Sequence, residues 1–87
     1  MKIEFSPKAI RQLKKAHDEK NLFIRLKSAL QRLTVEPYLG KPLQGELAGL
    51  RTHRVGAWRI IYKIQADRMV VYVISVADRK EIYCRGN

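Results

Sequence analysis

The apolar residues of this 87-residue chain change their spacing part-way along. Between Ala9 and Leu33 they recur at intervals of three and four: Ala9, Ile10, Leu13 and Ala16, then Leu22, Phe23, Leu26, Leu30 and Leu33. From Leu50 onward they alternate, with Trp58, Ile60, Tyr62 and Ile64 on one parity and Arg59, Ile61 and Lys63 on the other. The first spacing lines one face of a helix and the second one face of a strand. A chain this short buries only roughly 60 to 65% of its unfolded surface, so one core must serve both halves. The helices therefore have to cover the sheet.

The punctuation sharpens the elements. Met1 to Phe5 alternates Lys2 and Glu4 with Ile3 and Phe5, a strand pattern that stops at Ser6-Pro7, a cap residue followed by a proline suited to the first helical position. A helix is predicted from there to about His17–Lys20, with Lys8, Arg11, Gln12, Lys14 and Lys15 facing out. A histidine at a helix C-terminus is favoured by the dipole, which gives His17 a structural reading. Asp18 or Asn21 can cap a second helix, which ends at Thr34 to Pro37 because the residue before a proline disfavours helical backbone. Gly40, Pro42, Gly45 and Gly49 break the stretch from Tyr38 to Gly49 into a loop or broken turn. Leu50–Val55 and Trp58–Gln65 read as strands joined at Gly56-Ala57, and Met69–Val76, apolar on both faces, as a central strand. The expectation is an α+β fold over residues 1–87, a single domain. It has an N-terminal strand and an antiparallel helical hairpin packed on one face of a small, mainly antiparallel sheet.

Charge narrows the partner. Eighteen Lys and Arg against eight Asp and Glu leave a formal net charge of +10, and a polyanion is the first physical expectation. Cys84 is the one cysteine and cannot form an internal disulfide. Met1-Lys2-Ile3-Glu4 lacks the apolar run of a signal peptide, and no run approaches the roughly 18 apolar residues of a membrane span. A cytoplasmic protein without membrane contact is expected.

Three arginines and a histidine, Arg51, His53, Arg54 and Arg59, lie in or beside the most β-prone part of the chain. Arginine is costly to bury and offers a planar fork of donors to phosphate oxygens, so these residues point to RNA phosphate. Lys41, between Gly40 and Pro42, adds a possible phosphate contact, and Arg51 a peripheral one. Metal-ligand spacings, phosphate-binding glycine loops and serine-nucleophile motifs are missing from the sequence, so no metal and no small-molecule cofactor is expected. Arginines, a tyrosine and a few acids suffice for one reaction on RNA: attack of a 2′-hydroxyl on its own phosphodiester. The substrate brings the nucleophile, and the protein aligns groups, stabilises the phosphorane and moves protons.

The segments Gly40-Lys41-Pro42-Leu43, Gly45 to Leu50, Arg54-Val55-Gly56, Trp58-Arg59-Ile60-Ile61-Tyr62 and Asp78-Arg79-Lys80-Glu81-Ile82-Tyr83 together resemble the RelE family within the RelE/ParE superfamily of type II toxin–antitoxin toxins. The resemblance implies a RelE-like fold and a metal-independent endoribonuclease that cuts mRNA in the ribosomal A site, inhibiting translation, and that a cognate antitoxin restrains. Ribosomal RNA and mRNA are the implied nucleic-acid partners. It also implies that Arg59 stabilises the scissile phosphate, Arg79 lies near the leaving oxygen, Tyr83 orients a base, and Arg54 contacts the substrate backbone. Asp78 stands where many relatives have histidine. The proton acceptor therefore stays open among Tyr83, Asp78, Glu46 and His53. Two alternatives accompany this reading: a ParE-like inhibitor of DNA gyrase, and a basic RNA-binding module without activity.

Overall fold

Five strands form one sheet in the computed structural model, which describes residues 1–78. In chain order the elements are β1 (Lys2–Phe5), α1 (Pro7–Ala16), α2 (Lys20–Val35), β2 (Lys41–Pro42), a single 3-10 turn (Gly45–Leu47), β3 (Arg51–Val55), β4 (Trp58–Gln65) and β5 (Val70–Asp78). Their order across the sheet is β1-β5-β4-β3-β2. β1 runs parallel to β5, and the other three pairings are antiparallel. The α+β expectation therefore holds, with two helices on a mixed sheet. Ala9 and Ala16 of α1, Leu26, Leu30 and Leu33 of α2, and Val55, Ile60, Tyr62, Val71, Val73 and Val76 of the sheet make the core.

Local chemistry explains the boundaries. Ser6 caps α1 by accepting from the Ala9 N–H at 3.0 Å, and Pro7 opens the helix. At the start of α2 the cap position is Glu19, whose side chain makes no capping bond; Asp18 lies in the turn before it and Asn21 inside the helix. Neither predicted cap is used. Gly56 has φ +61° and Ala57 does not share the positive φ, the pattern of a two-residue II′ turn whose twist matches the flanking strands. The Tyr38–Gly49 stretch, expected to be irregular, contributes the short strand β2 on the free edge of β3. The strand expected from Leu50 begins at Arg51. The strand expected over Met69–Val76 runs from Val70 to Asp78, because Met69, at φ 54°, still belongs to the turn.

β5 is apolar on both faces, but its core-facing residues Val71, Val73 and Val76 do not keep a period of two. The register explains this. Ile61 pairs with Ser75 and Tyr62 with Val73, so Ile74 is an extra residue, and the bulge returns Val76 to the helix side. Such a bulge leaves backbone groups to satisfy. The Ser6 hydroxyl donates to the Ile74 carbonyl at 2.6 Å, and Gln12 Oε1 accepts from the Val76 N–H at 2.7 Å and from the Ser75 hydroxyl at 3.3 Å. Gln12, expected to face solvent, thus closes the edge of β5 beyond the end of β1. Ile10, expected in the core, is 43% exposed.

Candidate nucleic-acid interface

Two rows of side chains leave β3 in opposite directions. Arg51, His53 and Val55 face the helices; their cross-strand partners are Tyr62, Ile60 and Trp58. Thr52 and Arg54 face the other way, opposite Ile61 and Arg59. Direct cross-strand partners stand roughly 5 Å apart at Cβ. Arg54 and Arg59 are thus adjacent like charges, and an anion between them converts their repulsion into two attractions.

Among the described residues β2 pairs with Arg51 and Thr52 alone, and no strand pairs with the β3 edge from His53 onward. A cleft of about 300 Å³ opens at this step, lined by Leu39, Gly40, Lys41, Thr52, His53, Arg54 and Arg59. Its volume corresponds to roughly ten waters at liquid density, room for a phosphodiester group. Three of the predicted residues, Lys41 from β2, Arg54 from β3 and Arg59 from β4, converge on it. Lys41 and Arg54 are exposed and Arg59 half-buried. The Thr52 hydroxyl, on the same wall, is buried with no hydrogen-bond partner among the described residues.

Arg51 does something else. Its Nε–H donates to the Gly40 carbonyl at 3.0 Å, a terminal N–H donates to the Tyr38 carbonyl at 3.1 Å, and the guanidinium carbon lies 5.3 Å from the centre of the Tyr38 ring. It does not line the cleft, so its expected role as a phosphate contact is replaced by a structural one: its donors already hold carbonyls. Arg79 and Tyr83 lie outside the described residues.

The candidates for proton transfer separate. Glu46 is exposed on the 3-10 turn, away from the lining. Asp78 is half-buried at the end of β5, opposite Trp58 and one pair from Arg59. His53 lines the cleft, and burial, then the charge of Arg32 on α2, lower its pKa from the ordinary 6.5, favouring the neutral imidazole. The sequence left His53 as one of four open proton acceptors and gave no sign of Thr52 beyond its place on the same strand as Arg54. His17 closes α1 and meets Phe23 edge-on at 4.7 Å, as a structural residue should. Among the described residues no group of three His, Cys, Asp or Glu could hold a metal ion, and no helix is long and apolar enough to cross a membrane.

A sheet with two helices on one face and a cation-lined cleft at its edge defines a small basic α+β domain suited to an anion. Over residues 3–83 the chain matches the family described as ParE toxin of type II toxin-antitoxin system, parDE. It belongs to that family, within the RelE/ParE superfamily of type II toxin–antitoxin toxins. It is similar to Toxin RelG of Mycobacterium tuberculosis, 41% identical over 54 residues covering 61% of this chain and 62% of RelG. It is also similar to Toxin RelE of the same organism, 40% identical over 45 residues covering 52% and 46%. The chain thus spans less than two thirds of either relative. Among solved structures, the toxin–antitoxin complex RelBE2 from Mycobacterium tuberculosis contains a similar chain, with TM-score 0.78 and 33% identity over 90% of this chain and 96% of that one. The isolated E. coli RelE toxin has TM-score 0.77 at 22% identity, over 98% and 93%, a likeness of fold.

Proposed function

We propose that this toxin is a ribosome-dependent, metal-independent mRNA endonuclease, a single cytoplasmic domain that cuts in the A site by 2′-hydroxyl attack and is restrained by a cognate antitoxin. The observation that carries the reading is the convergence of Lys41, Arg54 and Arg59 from three strands on one cleft. Arg59 and Arg54 flank the scissile phosphate and stabilise the charge that grows on it in the phosphorane, the role for which fixed donors contribute most. Lys41 neutralises a neighbouring phosphate. Arg79 and Tyr83, from the C-terminal segment, complete the site at the leaving oxygen and the base. The similarity to RelBE2, a toxin–antitoxin complex, supports the antitoxin as partner.

Primer extension on a translating message is the test. Codon-positioned cuts that disappear without ribosomes are expected. Arg59→Ala and Arg79→Ala should relieve growth arrest while the protein stays folded; undiminished toxicity in both would refute the site. The match to the ParE toxin family favours one second reading, inhibition of DNA gyrase by binding. Loss of supercoiling activity with intact mRNA would establish it and overturn the first.

A further inference from the structure

One wall of the cleft, Leu39-Gly40-Lys41, is not built to support itself. It belongs to a connection between α2 and a two-residue strand, and an isolated strand that short holds no fixed conformation. Its backbone is instead gripped by one cross-strand pair, Arg51 on β3 and Tyr62 on β4. The Tyr62 hydroxyl, fully buried, donates to the Pro37 carbonyl at 2.7 Å and accepts from the Gly40 N–H at 2.9 Å. Arg51 takes the carbonyls of Gly40 and Tyr38 and packs against the Tyr38 ring. Gly40 is therefore held at both its N–H and its C=O. A Cβ there would come within 2.6 Å of the Tyr62 oxygen and 2.7 Å of the Thr52 carbonyl, so the approach is open to glycine alone.

We propose that Arg51 and Tyr62 are positioning residues, a clamp that fixes the Leu39–Lys41 wall and aims Lys41 at the anion held by Arg54 and Arg59. Neither touches the substrate. The inference rests on reading the cleft as an RNA phosphate site, and it assigns Arg51 a role that its charge alone does not suggest. The forked guanidinium is required because it must reach two carbonyls at once, which an ammonium on a lysine stem does not do in the same geometry.

Two measurements test it. Without RNA, amide exchange of the Gly40 and Leu43 N–H groups should accelerate about tenfold or more in Arg51→Lys while the β4–β5 ladder keeps its protection, and in Tyr62→Phe, which also lowers global stability, about tenfold or more beyond the change in that ladder. Unchanged exchange at Gly40 in both variants overturns the clamp. With a single-stranded oligoribonucleotide as probe, affinity is measured across salt for wild type, Lys41→Ala, Arg51→Lys and the double variant. Arg51→Lys should weaken binding in the wild-type background and leave affinity unchanged once Lys41 is gone, because both act through the same contact. An added loss in the Lys41→Ala background means that Arg51 meets phosphate directly, and the proposal fails. If the wild type binds no oligoribonucleotide at any salt, the RNA reading of the cleft fails instead, and the exchange experiment alone decides the clamp.

Discussion

Tyr62→Phe removes a single oxygen and asks how much of the fold depends on it. The side chain is completely buried, so the phenyl ring keeps its packing and no cavity larger than the hydroxyl is left. Two hydrogen bonds disappear, to the Pro37 carbonyl and from the Gly40 N–H. Pro37 is half-buried, so water can replace the first bond and its loss costs about 1 kcal/mol. Gly40 is buried, and its stranded N–H costs about 1 to 3 kcal/mol. The sum, about 2 to 4 kcal/mol, is a large share of the roughly 4 to 13 kcal/mol expected for a domain of this size. Thermal unfolding followed by circular dichroism should show a Tm lower by about 10 to 20 °C. A Tm within about 2 °C of wild type would mean that the Pro37–Gly40 backbone finds other partners at no cost, and the account of the clamp would be wrong. Gly40→Ala, which forces the same contact from the other side, should destabilise at least as much.

Ser6→Ala loses both the α1 cap and the bond to the bulged Ile74 carbonyl, and urea unfolding should show a cost of about 1 to 2 kcal/mol without a change in slope. Arg54→Ala should leave Tm no lower, since the residue is exposed and faces Arg59, while the salt dependence of RNA binding falls by about 0.7 in slope. His53 is held neutral in the folded state, by burial and then Arg32, so the unfolded chain binds its proton first. Stability should therefore decline as pH drops below 6.5 and level off once the folded imidazole titrates. His53→Gln should flatten that part of the curve, and an unaltered pH profile would show that the imidazole is not shielded.

The helix and strand periods were legible because each records which side of a regular backbone meets the core. They placed α1, α2 and β4 correctly, and the Ser6-Pro7 signal marked the α1 boundary. Tyr62 was readable as core from its parity. The errors share a cause. Gln12 looks like an outward polar residue until β1 ends short of β5 and leaves the Val76 N–H needing an acceptor. Ile74 looks like one more strand residue until the register makes it a bulge. Gln12 is decided by a partner more than sixty residues away and Ile74 by its register against β4, and local pattern encodes neither.

The same division runs through the candidate site. Sequence alone determined that this chain is basic, that it mixes helices with a sheet, and that Arg54 and Arg59 flank one strand-to-strand turn, because charge and alternation are properties of neighbours along the chain. Which cations share a cleft was decided by tertiary structure. Arg51 and Arg54 stand three residues apart and carry the same group, yet strand alternation sends them to opposite faces of β3. One meets the carbonyls of Tyr38 and Gly40, and the other meets solvent beside Lys41 and Arg59. Their chemistry is identical, and it is the backbone each one faces that separates the two.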